Sequence, residues 1–243
     1  MPDQVSQDMV RRYDLSISQP LNGYRFSLDA LLLADFVACS DSARLADLGT
    51  GSGIIPLILC RRFGAATAIG LDNNTAMVEL ARHNACSNGL AERVEFLPHD
   101  ILDARKLFPV SSFDGITANP PFRTPESGRT SPRAGRDRAR HESTAGMSEF
   151  LSAAKYLVKP TGRIWFIHHP DRLAEFIHRA TELKLSLLRL RMVHGSVTSP
   201  ARIFLAELAK ARKGATSVLA PLILHNGDGS YTPEARQILG EDA

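Results

Sequence analysis

A chain of 243 residues with 44% apolar content can bury a substantial core, as one large domain or one domain with appendages. Its formal net charge of +3 is modest, no apolar run approaches the length of a membrane span, and Met1–Asp8 lacks the basic and apolar regions of a signal peptide. Cys39, Cys60 and Cys86 are scattered without a C-x-x-C pair, which argues against a disulfide framework or a zinc site and for a reducing, cytoplasmic setting.

In chain order, the first forty residues read as a tail and then a helix over Leu28–Ala38. Arg44–Leu48 is an apolar strand that runs into Gly49-Thr50-Gly51-Ser52-Gly53 and out into a helix over Ile54–Phe63, with Pro56 tolerated in its first turn. Thr67–Leu71 is the next strand. Asn74–Asn88 is a helix with Val78, Ala81 and Ala85 on one face and Asn88-Gly89 as its stop. Val94–Leu97 and Phe113–Ala118 are strands, Met147–Leu157 a helix, Arg163–His168 a strand and Asp171–Leu183 a helix. Lys184–Val193 and Ala201–Ala211 read as two long strands joined through Gly195–Pro200. The tail adds a strand at Leu222–His225, a turn at Asn226–Gly229 and a short helix capped by Thr232 and opened by Pro233. Alternating strands and helices with a closing strand pair predict an α/β fold: a doubly wound, mostly parallel sheet with an antiparallel edge strand.

Asn119-Pro120-Pro121-Phe122, at the end of the strand Phe113–Ala118, says most about chemistry. Two prolines donate no backbone N–H and hold φ near −65°, so the segment is stiff and its carbonyls stay free. The Asn119 side-chain oxygen and the Pro120 carbonyl can both accept from one planar –NH₂ group, and Phe122 offers a face on which its ring can stack. Such a site suits an amine on an aromatic ring or an amide. The upstream glycine turn is spaced G-x-G-x-G. A dinucleotide fingerprint has its third glycine one position later, where this chain has Ile54, so a nicotinamide-dependent dehydrogenase is disfavoured. Asp72 and Asp100 each follow a strand, on the edge where open α/β sheets bind ligands. There they suit ribose hydroxyls and an adenine amine; alone, each is also a plausible helix cap.

Asp47-Leu48-Gly49-Thr50-Gly51-Ser52-Gly53, Asp72, Asp100 and Asn119–Phe122 together resemble the ordered motifs of class I S-adenosylmethionine-dependent methyltransferases. More narrowly, Gly23–Ala34, Ala139–Glu142 and Asp228–Glu234 resemble the bacterial tRNA(Val) adenine-N6 methyltransferases. The resemblance implies a Rossmann-like seven-stranded sheet, with residues 1–40 as a substrate or cofactor lid ahead of one domain over 41–243. It implies S-adenosylmethionine as cofactor, held by Asp47, Gly49, Gly51, Gly53, Asp72, Asn73, Asp100, Ile101 and Asn119. Asn119, Pro120, Pro121 and Phe122 become the catalytic residues. A cofactor without phosphate agrees with the glycine spacing. No metal is implied: His141-Glu142 lacks the ligand count for one.

Residues 123–142 hold six arginines (Arg123, Arg129, Arg133, Arg136, Arg138, Arg140) against Glu126, Asp137 and Glu142. This basic loop directly follows the acceptor motif. Phe122, Arg123, Arg133, Arg136 and Arg138 are therefore the expected RNA contacts, through phosphates and unpaired bases; Arg11, Arg12 and Arg25 are candidates for the same surface. The expected function is methylation of the N6 amine of an adenine in tRNA by a cytoplasmic, monomeric enzyme. A protein glutamine or an rRNA guanine amine also suits N-P-P-F. The alternative of another class is a non-catalytic RNA-binding module on the same scaffold.

Overall fold

The computed structural model, which describes residues 5–21, 28–121, 145–212 and 214–241, begins with a hairpin where a tail was expected. Strands β1 (Val5–Val10) and β2 (Leu15–Pro20) pair antiparallel from Val5↔Pro20 to Val10↔Leu15. A one-turn 3₁₀ helix, Arg11–Tyr13, joins them. Leu15 and Ile17 enter the core, but among the described residues β2 has no strand on its other side. Side chains of the helix over Thr75–Ser87 and its cap serve instead. Asn88 accepts from the Ser16 N–H and donates to the Ser16 carbonyl, both at 2.8 Å, and Asn84 treats Ser18 alike at 2.8 and 3.1 Å. The two primary amides, one helical turn apart, thus replace a missing strand.

Next come α1 (Leu28–Phe36), β3 (Arg44–Leu48), α2 (Ile54–Arg62), β4 (Thr67–Asp72) and α3 (Thr75–Ser87). They are followed by β5 (Val94–Pro98), α4 (Ala104–Leu107) and β6 (Phe113–Ala118). After the acceptor motif come α5 (Met147–Leu157), β7 (Val158–His168), α6 (Leu173–Glu182) and β8 (Leu185–Ser196). The chain closes with β9 (Ala201–Lys210), β10 (Ser217–Val218), β11 (Leu222–His225) and α7 (Pro233–Leu239). Local chemistry explains the ends: Asn74 accepts from the Ala76 and Met77 N–H groups to start α3, and Thr232 accepts from Ala235 to start α7.

The main sheet has the order β10-β8-β9-β7-β6-β3-β4-β5, with β11 also on β8. Strands β5, β4, β3, β6 and β7 run parallel. The α/β class is as expected, but two details differ. First, the antiparallel strand, β9, lies inside the sheet between β7 and β8 rather than at its edge. The crossover through α6 carries β8 past one strand position, and the hairpin returns β9 into that gap. Second, among the described residues the sheet has nine strands instead of seven. The tail supplies the extra pair, β10 and β11, which satisfy the outer N–H and C=O groups of β8. One apolar layer packs α1, α2, α3 and α7 against the sheet and the other packs α4, α5 and α6. Gly240 closes the chain on itself: a Cβ there would stand within 3 Å of the Arg12 backbone.

Candidate functional site

The site is built by register. Leu48 on β3 is level with Leu71 on β4 and with Ala118 on β6. The next residues, Asp72, Gly49 and Asn119, therefore emerge side by side from three adjacent strands at the carboxyl edge. At about 4.8 Å per strand, they span about 10 Å. Pro98 on β5 is level with Asp72, and Asp100 lies two residues further on. The sequence-selected residues of the two halves thus share one edge.

The glycine turn is drawn down onto β4. The Gly49 and Thr50 N–H groups both donate to the Leu71 carbonyl at 2.9 Å, and Gly51 N–H donates to Asp72 Oδ2 at 2.8 Å. Gly49, Gly51 and Gly53 all have positive φ, at 73°, 55° and 84°. Two of them also face aromatic rings. A Cβ on Gly53 would lie 2.5 Å from the Phe96 ring, and one on Gly49 would lie 3.3 Å from Phe150. Phe96 thus floors the turn, while Phe150, on the buried face of α5, covers it from the other layer. Gly70 permits the same fit, since its Cβ would meet Phe96 at 2.5 Å.

Asp72 holds both strand ends: Oδ2 accepts from Gly51 and Oδ1 accepts from Asn74 N–H at 2.9 Å. Each oxygen keeps a lone pair for a ligand hydroxyl. Burial raises its pKa; the two N–H bonds pull it down and the Asp100 charge raises it further. Asp100 does act as a cap, accepting from Leu102 N–H at 2.9 Å, while its second oxygen faces the Asn73 amide at 3.5 Å. Ile101 is buried beside them and presents an apolar wall.

Asp47 lies beneath the turn, only 2% exposed. Its Oδ1 accepts from the Thr117 hydroxyl at 2.7 Å, while its Oδ2 and the Thr50 hydroxyl have no hydrogen-bond partner among the described residues. Burial pushes its carboxyl up to about 7; the Thr117 bond acts the other way, as does the nearby Thr50 hydroxyl without closing a bond of normal geometry. Asn119 is half-buried, Pro120 buried and Pro121 exposed. Phe122 and the basic loop with Arg123, Arg133, Arg136 and Arg138 lie outside the described residues, as do Arg25, His141 and Glu142. Arg12 lies elsewhere: its guanidinium pairs with Asp35 at 2.7 Å, and Asp14, two residues on, meets Arg61 in the last turn of α2, away from the glycine turn.

Asn84 matters although sequence reading passed over it, while His168 packs as a structural residue at a strand end, as its place before Pro170 suggests. Asn84 is wholly buried and, besides holding β2, donates to the Ser52 carbonyl in the glycine turn at 3.0 Å. Its only signal was a polar residue on the apolar face of α3. His168 ends β7 beside the acceptor strand, stacked between Phe166 and Phe204. Burial first, and then Arg172 and His169, depress its pKa to about 4, and its Nδ1 accepts from the His169 N–H at 2.8 Å.

A glycine turn, a strand-end carboxylate and the Asn119 amide thus stand together on the carboxyl edge of a mostly parallel, Rossmann-like sheet. The methyltransferase domain family matches residues 40–202, and the chain belongs to that family. In particular, it is similar to tRNA1(Val) (adenine(37)-N6)-methyltransferases. The one from Porphyromonas gingivalis is 32% identical over 235 residues, covering 92% of this chain and 89% of that protein. One from Vibrio campbellii is 29% identical over 220 residues, covering 90% and 89%. A crystal structure described as a predicted O-methyltransferase from Agrobacterium tumefaciens shares the fold, with a TM-score of 0.72 over 88% of this chain and 97% of that one at 22% identity.

Proposed function

We propose that this protein transfers a methyl group from S-adenosylmethionine to the exocyclic N6 amine of an adenine in tRNA. The observation that carries the reading is the register that sets Asp72, Gly49 and Asn119 side by side. Asp72 and the glycine turn hold the cofactor's ribose and amino-acid portion, with Asn73, Asp100 and Ile101 around its adenine. The spare lone pairs of Asp72 fit such hydroxyls, and Asp47 and Thr50 leave buried polar atoms unpaired under the same turn. The cofactor supplies a methyl group already activated by a sulfonium, so alignment is the main work left to the chain.

Asn119 Oδ1 and the Pro120 carbonyl accept hydrogen bonds from the two N–H groups of the amine. This turns the nitrogen lone pair out of conjugation and toward the methyl as the bond forms. No base need remove a proton beforehand, and the surplus proton leaves to water afterwards. Phe122 stacks on the adenine, while Arg123, Arg133, Arg136 and Arg138 hold the flanking backbone. The names of the relatives support tRNA as substrate. A cytoplasmic monomer belongs to the same proposal. Labelled methyl transfer to tRNA lacking its own modifications, followed by nucleoside analysis, tests it: label in N6-methyladenosine is expected. Label in guanine or in protein glutamine, or none with S-adenosylmethionine bound, would defeat it.

A further inference from the structure

The sheet does not end level along its carboxyl edge. Ala118 is level with Phe166 and, through it, with Ala206, so Asn119 stands level with Ile167 and Leu205. Strand β9 begins at Ala201, four residues beyond that level, so the β8–β9 hairpin rises about 13 Å above the acceptor motif. It stands two strands away, about 10 Å to the side. β11 pairs only with the projecting part of β8, Val193 to Ser196. A three-stranded wall therefore rises beside Asn119.

The top of that wall is exposed, yet it is held in one conformation. His194 donates through Nδ1 to the Ser199 carbonyl at 2.7 Å, and His225 donates through Nδ1 to the Gly195 carbonyl at 3.0 Å. Because both partners are carbonyls, Nδ1 carries the proton in each, and in the neutral ring Nε2 is then an acceptor. The His225 ring stacks on Tyr231 at 4.7 Å. The exposed turn between them is over-determined. Asn226 and Ser230 bond through backbone at 2.8 Å and side chains at 3.0 Å, and Asp228 Oδ1 accepts from the Ser230 N–H and hydroxyl at 2.9 and 2.6 Å. That use engages one oxygen of the turn's carboxylate. Val197 at the tip is 81% exposed, and the exposed Arg202 makes no ion pair or side-chain hydrogen bond among the described residues.

We infer that this wall is a second RNA-binding surface, which holds nucleotides flanking the target adenine on the side away from the cofactor. The inference rests on the functional reading above. A free guanidinium suits a phosphate, a stacked His–Tyr pair and an apolar tip suit unpaired bases, and fixed imidazole acceptors suit 2′-hydroxyls. The rise and the offset together put the top of the hairpin about 16 Å from Asn119, roughly two to three nucleotides of extended chain. An acidic protein partner fits less well, since among the described residues of the wall Arg202 is the one arginine without an ion pair or side-chain hydrogen bond, and it stands among rings and apolar groups.

The test uses the double variant Val197→Glu/Arg202→Glu, with Val110→Glu, an exposed site before β6, as a surface control. Steady-state methylation of tRNA should show KM raised about tenfold with kcat largely kept, and affinity for S-adenosylmethionine the same as the parent's. A benzophenone amino acid at position 197 of the otherwise native chain should crosslink to tRNA. If the parent methylates tRNA but the double variant keeps its KM and the probe captures no RNA, the wall is not a binding surface. Crosslinking to polypeptide alone likewise overturns it. A parent inactive on tRNA overturns the functional reading first, and this inference with it.

Discussion

Gly53→Ala is the sharpest test of how the glycine turn is held. Two costs act at this position. A left-handed φ of 84° costs an alanine about 1–2 kcal/mol. Its Cβ would also stand 2.5 Å from the Phe96 ring and 3.0 Å from Ala81, an overpacking worth about 1–3 kcal/mol. The sum is about 2–5 kcal/mol. Gly89 separates the two terms, because it has φ 68° but nothing within 4 Å of a Cβ. Gly89→Ala should therefore lose only the conformational part. Urea unfolding without cofactor gives the values, with an unchanged m confirming that only stability has moved. Phe96→Leu, a large-to-small core change, should cost about 1–2 kcal/mol less in the Gly53→Ala background than in the Gly89→Ala background, where it relieves nothing. If Gly53→Ala costs no more than Gly89→Ala, or Phe96→Leu costs the same in both backgrounds, the ring does not floor the turn.

Asn84→Ala removes the partners of the Ser18 N–H, the Ser18 carbonyl and the Ser52 carbonyl, so it should cost about 3 kcal/mol or more in urea and speed hydrogen exchange at Ser18. Asp72→Ala should weaken S-adenosylmethionine binding by about 1.5–3 kcal/mol per lost charge-assisted bond, read by calorimetry; parental affinity in a folded variant would reduce the carboxylate to a loop anchor. Asn119→Ala should leave that affinity largely intact and cut methyl transfer about a hundredfold, measured in single turnover. The carboxyl of Asp47 is pushed up to about 7, above its unfolded value, so the folded state holds the extra proton. Its contribution makes stability fall as pH rises from about 4 to about 7 and then level off. Asp47→Asn should flatten that stretch of the urea pH profile, and an unchanged slope would mean that the carboxyl ionises normally.

What could be read from the chain in advance was what depends on near neighbours. Thr232 and Pro233 start α7 where expected because a cap and its N–H partner lie three residues apart. The glycine turn was visible because positive φ demands glycine, but its spacing did not show that Phe96 requires Gly53 and Gly70. β2 pairs with the nearby β1, but what holds its outer edge was hidden, because Asn84 and Asn88 lie more than sixty residues away and act through side chains. The interior position of β9 was equally hidden: the alternation of Ala201–Ala211 marks a strand but not which neighbour it receives. Asp100 was read both as ligand contact and as cap, and its bond to Leu102 N–H makes it at least the second.

The interior position of β9 also bears on how the chain is made. β7 is complete at His168, but its neighbour on the far side is not complete until Lys210. At about 5–20 residues per second, that edge waits roughly 2–8 s for its partner during synthesis. It carries Ile164, Phe166 and Ile167, all destined for burial. Through that interval the nascent chain presents an apolar strand with unpaired backbone groups, open to a chaperone or to the same strand of another chain. Asn119 follows the adjacent strand, so the half of the sheet beside it is the last to be secured.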